Sequence, residues 1–153
     1  MTEDGTRWLS ADEQRAWRSY LAMTQRVGEA LERELTRQGL SHAYYEILVR
    51  LSEADGRRLR MSELADRSMS SRSRLSHAVA RLEEQGVVRR EECATDRRGQ
   101  ECVLTDEGFA LLERVAPHHV ADVRRVLLDA LTPAELRELG RLAAKVEEHL
   151  DAR

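Results

Sequence analysis

A mainly α-helical fold carrying a single β-hairpin is predicted for this chain, and three observations predict it. Apolar residues recur at threes and fours along most of its 153 residues. That helical period disappears only between Val87 and Leu104, and residues able to cap helices stand at Ser10, Ser41, Ser62, Ser71 and Thr132. The length and the 41% hydrophobic content suit one compact chain, 1–153, able to bury its own core. Two cysteines cannot form a disulfide framework. No apolar run approaches the ~20 residues of a membrane span, and Met1-Thr2-Glu3-Asp4-Gly5 has neither the basic start nor the apolar stretch of a signal peptide. A soluble cytoplasmic protein with no membrane partner is expected.

The first helix opens at Ser10 with Glu13, the spacing of a capping box. Its stripe of Trp17, Tyr20, Leu21, Thr24, Val27, Leu31 and Leu35 runs to Gln38-Gly39, where glycine supplies the left-handed stop. About seven turns exceed what a small core needs, so this helix is either peripheral or packs its surplus stripe on a second subunit. Ser41 caps a second helix through Tyr44, Tyr45, Ile47, Leu48 and Leu51, which ends near Ala54-Asp55-Gly56. Ser62 is the expected cap of a short third helix containing Leu64 and Ala65. After the turn Ser68-Met69-Ser70, Ser71 caps a fourth, whose Leu75, Ala78, Val79 and Leu82 make one apolar face before Gly86. Val87–Glu91 and Glu101–Leu104 flank the polar run Ala94–Gly99, which predicts a two-stranded hairpin with a basic tip. Thr105, Asp106 and Glu107 open a fifth helix, with a kink or break expected at Pro117. Thr132-Pro133-Ala134-Glu135 joins a capping box to proline at the first helical position. It starts a closing helix with Leu136, Leu139, Leu142, Val146 and Leu150 on one face.

Charge is distributed unevenly over this frame. Residues 57–100 hold eleven Arg against seven carboxylates, although the whole chain carries a net charge of −3. Arg67 to Leu82 contains four Arg, five Ser and no carboxylate. Such a segment either approaches a polyanion or forms an ordinary solvated surface. Two short helices, a tight turn and a hairpin with Arg at its tip give the order of a winged helix-turn-helix, whose second helix enters the DNA major groove. A 100° wheel with Leu75, Ala78, Val79 and Leu82 inward turns Ser73, His77 and Ala80 outward, flanked by Arg74, Ser76 and Arg81. Small uncharged side chains permit close approach, His77 can hydrogen-bond base edges, and Arg74 and Arg81 flank it where phosphates would run. The free helix N-terminus at Ser71 and Arg72 adds N–H donors for a phosphate.

The residues Met61-Ser62-Glu63-Leu64-Ala65, Ser71-Arg72-Ser73-Arg74-Leu75-Ser76, Val79, Arg81-Leu82-Glu83-Glu84, Gly86-Val87-Val88, Asp96-Arg97-Arg98-Gly99, Leu104-Thr105 and Gly108 make the chain resemble the MarR family of transcriptional regulators. The resemblance in element order extends roughly from Ser10 to Leu150. It implies a mainly α homodimer of winged-helix protomers. Residues 41–104 would form the DNA-binding lobe with its two-stranded β wing, and 10–38 with 105–151 the helical dimerisation region. It further implies double-stranded DNA with an inverted repeat as the partner. Ser71, Arg72, Ser73, Arg74, Ser76 and His77 would lie along the recognition helix, Arg98 would enter a minor groove, and Asp96 would brace the wing beside Arg97. Arg81 joins the DNA-facing set on its helix position. The chain departs from the family where Ser68-Met69-Ser70 replaces an apolar-Gly-apolar turn. Met69 therefore either turns left-handed or stands in a different turn. His77 also occupies a position where Arg is frequent.

Members of the family commonly act as repressors released by a small phenolic or aromatic anion, and the resemblance extends that expectation to this chain. Trp17, Tyr20, His42, Tyr44 and Tyr45 are the candidate ligand residues, with Arg18 and Arg50 as anion partners; ordinary core packing is the alternative for the aromatic rings. Cys93 and Cys102 lie symmetrically about the wing tip, so a simple register would set them opposite each other, as an oxidisable staple or as two reduced thiols without consequence. His118 and His119 diverge by ~100° on a helix and cannot share one ion. No cofactor or metal is expected, and neither a nucleophile elbow nor a phosphate-cradling glycine loop suggests an enzyme. The competing function is a winged-helix protein-interaction module, which would display apolar anchors where Ser73, His77 and Ala80 stand.

Overall fold

A computed structural model describes residues 6–68, 71–93 and 96–152, with 96–98 described by their backbone. Six α-helices and a three-stranded antiparallel sheet follow the order α1 (Ala11–Arg37), α2 (His42–Ser52), β1 (Arg58–Arg60), α3 (Met61–Arg67), α4 (Arg72–Glu84), β2 (Val88–Cys93), β3 (Asp96–Leu104), α5 (Asp106–Val126) and α6 (Pro133–Asp151).

Local chemistry accounts for most boundaries. Ser10 and Glu13 close a reciprocal capping box, as do Thr132 and Glu135. Glu13 and Glu135 each accept a backbone N–H there, which holds both carboxyls below their ordinary range. The hydroxyls of Ser41, Ser71 and Thr105 accept the N–H groups of Tyr44, Arg74 and Gly108. Gly39, at φ +82°, ends α1 and returns the Leu40 N–H to the Leu35 carbonyl, and both leucines are buried.

Three boundaries differ from expectation. Ser62 lies inside α3, which starts at Met61 without a side-chain cap. Helix α2 stops at Ser52, and a 3-10 turn at Asp55–Arg57 follows, with Gly56 and Arg57 both at positive φ. Helix α5 runs unbroken through Pro117, whose missing N–H costs one helical bond but whose ring lies on the exposed face. The turn conformation expected at Met69 lies outside the described residues.

The sheet has the order β1-β3-β2, so the two-stranded hairpin gains a third strand that the sequence did not announce. Leu59 pairs with Cys102, and Val88 with Leu104, turning these side chains into the core. The core is aliphatic. Leu48 and Leu51 from α2, Leu64 from α3, and Leu75, Val79 and Leu82 from α4 are shut from solvent against Val88, Cys102, Leu112 and Val115. Each fully buried leucine contributes roughly 1.5–3 kcal/mol over its exposed state. Helices α1 and α6 contribute little to this core. Leu35 is the buried residue of α1, and α6 buries none.

The cysteines do not face one another. Arg90 stands opposite Cys102, and an irregularity between Glu92 and Cys93 sets Cys93 opposite Asp96. The simple register fails because the whole ladder is offset from it: β2 ends at Cys93 and β3 begins at Asp96, so Cys102 falls opposite Arg90, three residues from Cys93. Burial pushes the Cys102 thiol up to about 12, which suppresses the thiolate that oxidation requires.

Candidate nucleic-acid interface

Helix α4 separates its residues by chemistry. Leu75, Val79 and Leu82 are buried, while Arg72, Ser73, Arg74, Ser76, His77 and Arg81 are exposed and Ala80 is half-buried. Its buried face packs on α2 and α3, which leaves Ser71 and the first turn of the helix at the surface.

The basic excess of the segment resolves into two groups. Arg57 pairs with Asp106, Arg67 with Glu63, Arg81 with Glu84, Arg89 with Glu91 and Arg90 with Glu83, and Arg58 reaches both Glu91 and Glu101. Arg89 and Arg58 hold the Glu91 carboxyl below its usual range, so the outer surface of the sheet is locally neutral. Arg72 and Arg74, on the first turn of α4, have no carboxylate partner among the described residues. Their full charge is available to an anion. The Arg81–Glu84 pair, at 2.9 Å, is open to water and weak.

Clefts lie on two sides of α4 among the described residues. One, of about 670 Å³, lies on the α2 side and is lined by Tyr44, Arg74, His77, Ala78, Ala80, Arg81 and Glu84. The other, of about 230 Å³, faces the sheet and is lined by Met61, Ser62, Arg72, Ser76 and Gln100. Between α4 and β2, Arg90 donates from Nη2 to the Ser76 carbonyl at 2.8 Å, and its backbone N–H donates to Glu83 at 3.0 Å. Sequence reasoning passed over Arg90, since nothing in a run of two arginines tells which one turns back. Asp96, Arg97 and Arg98 open β3 at the hairpin tip; their side chains lie outside the described part of the structure.

The candidate ligand residues fall in three places. Trp17 and Tyr20 stack on one another, with ring centroids 5.8 Å apart, on the exposed face of α1. Tyr44 borders the cleft beside α4. His42 and Tyr45 lie near His119 of α5, at 6.0 and 4.4 Å between ring centroids. Arg18 contacts Gln14 and Arg50 contacts Glu46, each on its own helix. His118 is exposed and His119 half-buried, and among the described residues no group of three His, Cys, Asp or Glu side chains is placed to hold a metal. No described helix is long and apolar enough to cross a membrane.

Helix α3, the turn after it, α4 with its polar and basic outer face, and the following hairpin together define a winged helix-turn-helix protein. The chain belongs to the MarR family of transcriptional regulators. Residues 38–99 match the family model. The transcriptional regulator PecS of Dickeya dadantii is 33% identical over 125 residues, 81% of this chain and 75% of its own length. The transcriptional repressor MprA of Escherichia coli is 27% identical over 129 residues, 84% of this chain and 73% of its own. Among solved structures, Sco3205, a MarR family transcriptional regulator from Streptomyces coelicolor in complex with DNA, superposes with a TM-score of 0.93. It is 50% identical, covering 97% of this chain and 93% of that one.

Proposed function

We propose that the protein is a dimeric, sequence-specific DNA-binding repressor that a small aromatic anion releases. The observation that carries the DNA reading is the outer face of α4: Ser73, Ser76 and His77 stand exposed between two arginines, Arg72 and Arg74, that no carboxylate among the described residues neutralises. Short side chains let the helix approach the groove floor, His77 offers hydrogen bonds to base edges, and the arginines meet phosphates. Arg97 and Arg98 extend the contact at the hairpin tip, with Asp96 as their brace. Arg81 joins the phosphate contacts by exchanging Glu84 for DNA. The likeness to a regulator solved in complex with DNA supports this reading, and the likeness to MprA supports repression.

Dimerisation explains the apolar faces left over by the fold. Trp17, Tyr20 and Leu21 on α1 and Leu142, Val146 and Leu150 on α6 are exposed large hydrophobic residues on helices that do little for the core. A second copy of the chain covers them and sets two α4 helices in successive major grooves, ~10 bp apart. Residues 41–104 then act as the reading lobe, and 10–38 with 105–151 as the dimer stem.

The release step draws on the contact of His42 and Tyr45 with His119, where α2 of the lobe meets α5 of the stem. An aromatic anion that binds the dimer more tightly at a half-site separation unsuited to DNA displaces the operator by that difference in affinity.

Selection of bound duplexes from a random pool, in reductant and near-physiological salt, tests the reading. Enrichment of an inverted repeat with half-sites about one helical turn apart is expected. Retention without sequence enrichment would replace it with electrostatic adhesion or a protein-interaction role. Adding small phenolic acids to the selected complex then tests release.

A further inference from the structure

The Tyr44 hydroxyl borders the cleft between α2 and α4, within electrostatic reach of Arg81. Tyr44 follows the Ser41 cap by three residues, and the Ser41 hydroxyl accepts its backbone N–H at 3.2 Å, which fixes the residue at the start of α2. Its ring is half-buried and packs against the aliphatic core. Among the described residues no group hydrogen-bonds its hydroxyl, and that hydroxyl is not among the buried polar atoms lacking a partner, so it meets solvent. A tyrosine with a buried ring ordinarily directs its O–H to a hydrogen-bond partner.

The opposite wall of the cleft is the outer face of α4, with Arg74, His77 and Arg81. Glu84 also lines it, 2.9 Å from Arg81, and cancels the charge at that end. Among the described residues, Arg74 is therefore the arginine of the cleft without a carboxylate partner. A helix lying in a major groove is bordered by the sugar-phosphate backbones, and hydroxyl side chains outside the recognition helix commonly hold them.

We propose that the Tyr44 hydroxyl is a DNA-backbone contact, donating to a phosphate in the cleft between α2 and α4 whose charge Arg74 neutralises from the opposite wall. This rests on the DNA-binding reading and extends the interface beyond α4 and the wing. Tyr44 thereby sets how α4 seats in the groove while carrying no sequence information of its own.

Ethylation interference on the selected operator, using the full chain and the variant Tyr44→Phe, tests the assignment. The variant keeps the ring and its packing. Its affinity should fall roughly tenfold, by the same factor on the operator and on an unrelated duplex, as for the loss of one hydrogen bond to a charged acceptor. The salt dependence should not change, because a neutral hydroxyl displaces no counterion, whereas Arg74→Ala should lower its slope by about 0.9. One phosphate in each half-site whose ethylation blocks the native protein should no longer do so in Tyr44→Phe. Native affinity with an unchanged interference pattern would overturn the assignment. An altered response to small phenolic acids with DNA affinity intact would overturn it too, and make the cleft an effector site. If Tyr44→Phe does not fold, Arg74→Ala must lose interference at a phosphate beside α4. Failure of the native protein to bind any duplex would instead remove the DNA reading itself.

Discussion

Arg90 of β2 donates from Nη2 to the main-chain carbonyl of Ser76 in α4 at 2.8 Å. Its backbone N–H donates to Glu83 at 3.0 Å, and its Nη1 lies 3.7 Å from the other oxygen of that carboxylate. These contacts join the hairpin to the recognition helix at two points nearly two turns apart. Helix α4 and the hairpin are therefore held as one body. Replacing Arg90 by alanine leaves the Glu83 carboxylate short of a charged partner and should lower stability by about 1–3 kcal/mol, measured by urea unfolding. Affinity for the operator should fall as well, and Arg90→Lys should restore it only in part, since lysine cannot span both partners in a planar fork.

Gly108 sits where the first turn of α5 passes the strand leading out of α4. A Cβ at this position would overlap the Val87 carbonyl oxygen and lie 2.7 Å from Leu104 Cδ1. The nearest obstacle is backbone, so no side-chain rotation relieves it. Gly108→Ala should destabilise the protein by about 3 kcal/mol or more, seen as a large drop in melting temperature. An unchanged melting temperature would show that α5 can shift away from Val87.

The apolar stripe of α6 offers a direct test of dimerisation. Val146 and Leu150 are 59% and 61% exposed in the single chain. Two buried glutamates in a dimer interface could not be accommodated without loss of binding. Val146→Glu with Leu150→Glu should yield monomers by sedimentation, with operator affinity reduced in parallel and the helix content kept. A native protein that already sediments as a monomer would refute the dimer stem.

His119 makes stability depend on pH. Burial beside Tyr45, and then the neighbouring His42, hold its imidazole below the usual histidine range; Asp122 opposes them weakly, and the Glu32 carboxylate is engaged by the His42 backbone N–H. The unfolded chain takes up the proton at its ordinary value near 6.5, above the folded one. The stabilisation is therefore fully present above about pH 6.5 and is lost as pH falls toward the folded value. Urea midpoints at pH 7.5 and 5.5 should differ more for the native protein than for His119→Gln.

Arg98 and His77 separate two kinds of DNA contact. Arg98→Ala should weaken binding and lower the salt slope by about one, while His77→Ala should change sequence preference more than salt slope. Titrations over a range of salt concentrations, on the operator and on single-base variants, distinguish them. Equal slopes for the native protein and Arg98→Ala would remove the wing from the interface.

Much of this molecule is readable along the chain because its boundaries are local. Ser10, Ser41, Ser71, Thr105 and Thr132 each cap the helix they precede, since the hydroxyl and the N–H it accepts lie within three residues. The apolar face of α4 follows from the helical period alone. Ser62 does not cap α3, for a tertiary reason. Pairing with β3 keeps Arg60 extended, so α3 starts one residue before the serine can cap it.

Other features required the fold. Strand β1, with Leu59 as its one buried residue, is too short to show a period and exists because β3 offers it an edge. The two wing cysteines are expected opposite each other, yet β2 ends at Cys93 and the ladder that pairs Arg90 with Cys102 leaves them three residues out of register. Five aromatic and histidine residues that look like one pocket in sequence lie in three places.

Composition, caps and periodicity determined a helical chain with a winged helix-turn-helix at its centre, and its motifs determined the family. Which arginines meet a carboxylate was a tertiary decision. A guanidinium and its carboxylate neutralise each other only when the fold brings them within a few ångströms, and Arg58 meets Glu91 and Glu101 from more than thirty residues away. Among the described residues the same packing leaves Arg72 and Arg74 without a carboxylate partner, and it sets Tyr44 across the cleft from α4.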